Sequence, residues 1–139
     1  MSSCKACGGQ HPTRTLIAIL VTLVATSAFA EPMTWKVDGV TREAIVYSPT
    51  RPSRGNKVPL VLSFHGRGDD MENFQYTNVH RAWPDAVVLY FQGLPSRDGY
   101  RGWQVTKGEY NDRDLKLVDA ALAWVHSFTQ EIFSSFAVI

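Results

Sequence analysis

Apolar positions fall into three patterns along this chain. LIAILVTLVAT (Leu16–Thr26) is a single uninterrupted apolar run with no charged side chain. VPLVLSF (Val58–Phe64) and AVVLYF (Ala86–Phe91) are shorter and do not alternate with polar residues. That pattern predicts strands covered on both faces, as in a parallel sheet. FAVI (Phe136–Ile139) has the same character and predicts a further strand. MTWKV (Met33–Val37) and EAIVY (Glu43–Tyr47) flank the turn dipeptide Asp38-Gly39, which predicts an antiparallel hairpin. The third pattern is helical. In NDRDLKLVDAALAWVHSF (Asn111–Phe128), Leu115, Val118, Leu122 and Val125 recur at helical spacing. Leu117, Ala121 and Trp124 widen the stripe, so this helix should pack deeply on a sheet, capped by Asn111 or Asp112. Asp70–Trp83 predicts a second helix, capped by Asp69 or Asp70 and ended by Pro84. Strands and helices in this order predict an α/β fold with parallel pairing and right-handed crossovers.

Composition keeps the chain among globular proteins: 139 residues, 45% hydrophobic, 19% charged and net charge +1, enough for one domain. Scattered, nearly balanced charges argue against a nucleic-acid partner. The first apolar run changes the expected location. Lys5, His11 and Arg14 precede it, and SAFA follows with Ala28 and Ala30 in the spacing that signal peptidase reads. Residues 1–30 therefore read as a secretory signal peptide, leaving residues 31–139 as an exported chain, extracellular or periplasmic. The run is shorter than the ~20 apolar residues of a spanning helix, so no stable membrane anchor is expected after cleavage. Cys4 and Cys7 form a lone C-x-x-C ahead of it, and cleavage would remove both, leaving no disulfide.

Candidate chemistry centres on LVLSFHGRGDD (Leu60–Asp70), an apolar strand running into a glycine-bracketed turn. Acyl transfer builds negative charge on a carbonyl oxygen, and donors fixed beforehand at that point lower the barrier. Glycines at 66 and 68 would let backbone approach a substrate closely. On this reading Gly66 and Arg67 supply backbone N–H groups to an oxyanion hole. The Arg67 guanidinium is left free for substrate or solvent, and His65 braces the turn rather than acting as a base.

Four segments, PLVLSFHGRGDD, VVLYFQGLP, GWQV (Gly102–Val105) and NDRDLKLVDAALAWV, follow one another in an order that resembles the poly(3-hydroxybutyrate) depolymerase-like esterases. This group of secreted α/β-hydrolases also includes feruloyl and acetyl-xylan esterases. The resemblance spans Val58 to Val125. It implies a partial α/β-hydrolase fold, an N-terminal hairpin plus parallel strands with crossover helices, incomplete at its C-terminus. It implies Gly66 and Arg67 at the oxyanion hole, Trp103 near the substrate cleft, and Asp114 starting the helix beneath the site. It also implies an ester substrate, a polyester or an acylated polysaccharide, attacked by serine in a G-x-S-x-G elbow after the next strand. No serine of this sequence stands in that motif; Ser134 and Ser135 precede FAVI, which resembles the elbow's strand. The expectation is thus a member truncated before its nucleophile, inactive as a triad hydrolase, with an apolar strand left at an open edge. His80 and His126 are expected on the surface. No metal cluster or phosphate-cradling loop stands out, so no cofactor is expected. A non-catalytic exported protein, binding carbohydrate or polyester through Trp103 and Tyr100 on a hydrolase-like scaffold, is the alternative.

Overall fold

The computed structural model describes residues 30–50 and 57–136. The signal-peptide reading, Cys4, Cys7 and most of FAVI lie outside those residues. The hairpin pairs β1 (Ala30–Val37) with β2 (Val40–Tyr47), antiparallel from Ala30↔Tyr47 to Val37↔Val40. Asp38 (φ 49°) and Gly39 (φ 79°) both take the left-handed region, as a two-residue type I′ turn requires. β3 (Leu60–Phe64) and β4 (Val87–Phe91) run parallel, and β2 pairs antiparallel with β4. The chain is therefore mixed α/β around a four-stranded sheet in the order β1-β2-β4-β3.

Between β3 and β4, α1 (Met71–Phe74) opens as the sequence predicts, with the Asp70 carboxylate accepting the Asn73 N–H at 2.8 Å. It does not continue as one helix to Trp83. Asn78 adopts φ 58°, and this left-handed residue separates a 3₁₀ turn (Gln75–Thr77) from α2 (Val79–Ala82). After β4, the two-residue strands β5 (Leu94–Pro95) and β6 (Arg101–Gly102) form a small hairpin too short to leave a periodicity.

The long helix, α3 (Arg113–Phe136), differs from expectation in three ways. It starts at Arg113, because Tyr110, Asn111 and Asp112 all take left-handed angles. Gln104, not Asn111 or Asp112, caps it, its Oε1 accepting the N–H groups of Asp114 (3.0 Å) and Leu115 (3.4 Å). Its buried face is Asp114, Leu117, Ala121 and Val125, leaving Leu115 (47%) and Leu122 (43%) exposed. Turning Asp114 inward to meet Arg42 rotates the helix so that the 115/118/122 positions shift to its flank. Phe136, expected to open a strand, is instead the last residue of α3.

β4 is the centre of the molecule: all five of its residues are buried. Val87, Leu89 and Phe91 face Leu117, Ala121 and Val125 of α3, whereas Val88 and Tyr90 pack with Met71 on the opposite side. β3 has the same apolar composition but sits at the sheet's edge. Leu60, Val61 and Leu62 are only half-buried, and Phe64 is 39% exposed. Among the described residues no helix is long and apolar enough to cross a membrane.

Candidate oxyanion turn

Residues 65–69 leave the C-terminal end of β3 and fold into a turn closed by the Asp69 N–H donating to the Gly66 carbonyl at 3.2 Å. Gly68, the third residue of that turn, has φ 82°. A type II turn demands positive φ there, and glycine meets it without a steric penalty. The Gly68 N–H donates to the Arg101 carbonyl at 2.8 Å, tying the turn to β6. Among the described residues the N–H groups of Gly66 and Arg67 have no acceptor and take no part in the sheet ladder. A Cβ built on Gly66 would meet nothing within 4 Å. Packing within the protein therefore does not require glycine at this position.

His65 braces this turn, as the sequence predicts. Its ring is buried, and its Nε2 accepts the Gly93 N–H at 2.9 Å. That bond fixes the tautomer, so Nδ1–H donates to the Gly66 carbonyl at 2.7 Å. Both ring nitrogens are committed to backbone, and neither remains to take a proton from a nucleophile.

Arg67 departs from expectation. Its guanidinium is not free: it donates to the Asp98 carboxylate and lies 4.7 Å from the centre of the Tyr100 ring. The Arg67 hydrogen bond, followed by the Tyr100 N–H, holds the Asp98 carboxyl below its ordinary value. Both partners are solvent-exposed, so the pair latches the β5–β6 connection to the turn without adding much stability.

Trp103 is half-buried and turned towards the same backbone. Its indole N–H donates to the His65 carbonyl at 2.8 Å, and its ring meets Phe64 edge-on at 4.9 Å. One side lines an open groove of about 370 Å³ shared with Arg67, Asp98, Glu109 and Tyr110. The carboxylates of that groove are largely occupied, Asp98 by Arg67 and Glu109 by the Val105 N–H at 2.8 Å.

Beneath the site lies a pair that sequence spacing did not suggest. Arg42 of β2 (1% exposed) binds Asp114 of α3 (6% exposed) at 2.7 Å and also donates to the Arg113 carbonyl at 2.9 Å. The second Asp114 oxygen accepts the Gln104 N–H at 2.6 Å. Asp114 is thus more than an acid near a helix N-terminus. It joins β2, α3 and the segment carrying Trp103. Sequence reading missed Arg42, which precedes the strand expected at Glu43–Tyr47 and is taken into β2 only because that strand starts at Val40.

The other two histidines among the described residues divide. His126 is exposed on α3. His80, expected at the surface, is half-buried: it stacks on Tyr47 with centroids 3.6 Å apart, and its Nδ1 lies 3.1 Å from the buried Tyr90 hydroxyl. Burial, then the neighbouring Arg81 charge, lowers its pKa from the ordinary 6.5. No serine approaches either ring within hydrogen-bond distance among the described residues. No group of three or more His, Cys, Asp or Glu among the described residues could hold a metal ion. No protein-family model matches the chain, and no curated protein matches it.

Proposed function

We propose that this chain is the N-terminal, oxyanion-binding portion of a secreted carboxylic ester hydrolase similar to the poly(3-hydroxybutyrate) depolymerase-like group. The observation that carries the reading is the pair of unengaged N–H groups, Gly66 and Arg67, on a braced turn at the exit of β3. Such donors act on charge that develops at a carbonyl oxygen, and losing one typically costs ~10²–10³ in rate. The sheet supports the finer fold proposal. β3, which bears the turn, is an edge strand with one side open among the described residues, and the resemblance puts the nucleophile's strand beside it. The N-terminal signal pattern supports export, and the substrate class, polyester or acylated polysaccharide, rests on the resemblance alone.

The 139 residues contain no G-x-S-x-G, and both nitrogens of His65 are committed to backbone, so the serine triad must come from elsewhere. The coding DNA beyond codon 139 tests this. An in-frame or frame-shifted G-x-S-x-G followed by an acid and a histidine supports an esterase, and unrelated sequence removes it. The chain alone should not cleave a p-nitrophenyl ester above a boiled control. The competing reading, an exported binding protein, draws on Tyr100, whose exposed ring stands beside the groove. Retention of the chain on insoluble xylan or polyhydroxybutyrate, abolished by Tyr100→Ala, would favour it.

A further inference from the structure

Trp103 and His65 hold the two peptide planes from which the free N–H groups project. In a planar trans peptide the carbonyl and the N–H point in opposite directions, so clamping one aims the other. The plane between His65 and Gly66 carries the Gly66 N–H, and its carbonyl accepts the Trp103 indole N–H at 2.8 Å. The plane between Gly66 and Arg67 carries the Arg67 N–H. Its carbonyl is held from two sides, by His65 Nδ1 at 2.7 Å and by the Asp69 N–H at 3.2 Å. The next plane is fixed through its N–H instead, by the Arg101 carbonyl at 2.8 Å. Three successive planes are pinned, and only the first two leave an N–H unengaged. We infer that Trp103 is a positioning residue for the Gly66 donor rather than a substrate-binding aromatic, and that His65 does the same for Arg67. Gln104, next in sequence, fixes Trp103 from behind through the buried Asp114 carboxylate. This inference rests on the oxyanion reading of the turn.

The test uses the ¹⁵N-labelled full chain, kept dilute and titrated with sodium acetate against sodium chloride at matched ionic strength. Acetate should move the Gly66 and Arg67 amide resonances together and saturably. Trp103→Phe keeps a ring against Phe64 but removes the indole donor. It should weaken acetate about fivefold, the loss of one net hydrogen bond, with the response of Gly66 reduced most. His65→Phe should reduce the response of Arg67 most. Silence of both amides in the wild type would remove the oxyanion reading and this inference with it. A wild-type response that survives unchanged in Trp103→Phe would overturn the positioning role alone. If Trp103→Phe does not fold, indole hydrogen exchange in the wild type decides. The Trp103 N–H should exchange far more slowly than that of exposed Trp83, and equal rates would overturn the clamp.

Discussion

Gly93 has less room than either glycine of the turn. A Cβ there would stand 2.9 Å from the Gly102 carbonyl oxygen and 3.1 Å from the His65 ring. Gly68 has room but needs positive φ, whereas Gly66 has open space. Substitution by alanine should therefore rank 93, then 68, then 66 in thermal melts. Overpacking against backbone costs about 1–3 kcal/mol at Gly93, and left-handed backbone costs about 1–2 kcal/mol at Gly68. Gly66→Ala should stay within about 0.5 kcal/mol. His80 provides a pH response. Its folded-state pKa lies below the ordinary 6.5, so the stability of the unprotonated ring is present above that value and lost as pH falls through the folded one. The melting temperature should drop between pH 7 and pH 5, and His80→Phe, which keeps the stack on Tyr47, should flatten that slope. At this scale the sequence revealed local relations only. His65 lies beside the turn it braces, so its role was legible, but Asp98 is 31 residues from Arg67 and nothing in the pattern linked them.

The elements were legible where periodicity or a turn dipeptide was strong. The β1–β2 hairpin, β3, β4 and the existence of α3 all follow from apolar spacing. The buried face of α3 was legible in part: hydrophobic spacing offers two overlapping stripes, of which Leu117, Ala121 and Val125 are buried while Leu115 and Leu122 are exposed. The choice between them is made by Asp114, which pairs with a residue 72 positions away. Two measurements separate the faces. Leu117→Ala should destabilise by about 2–5 kcal/mol as a filled core position empties, whereas Leu122→Ala, exposed, should cost under about 1 kcal/mol. The ion pair makes a sharper case. Asp114→Ala leaves the Arg42 charge buried without its carboxylate and should cost about 3–5 kcal/mol in denaturant unfolding. Pairing Arg42→Met with Asp114→Leu should recover most of that loss, because removing both charges removes the desolvation cost as well.

For the whole molecule, the mixed α/β class was legible in the order of elements, and β2's antiparallel pairing with β4 was not. Long-range pairing depends on which edges meet, and each strand's own pattern is silent on that. β3 leaves one side of an apolar strand without a neighbour among the described residues, and α3 separately exposes Leu115 and Leu122. Unprotected edges of this kind template association with other chains. Sedimentation velocity should show concentration-dependent oligomers, and the double substitution Leu115→Lys, Leu122→Lys should shift the distribution towards monomer with little change in melting temperature. The opposite border of the sheet bears on biogenesis. Ala30 and Glu31 are laddered to Tyr47 and Val46 in β1, whereas the leader cleavage that the proposed export implies would fall between them and would need that backbone loose in the protease's cleft. An exported precursor would have to be trimmed while still unzipped, so a variant whose first hairpin closes faster should accumulate with its leader attached.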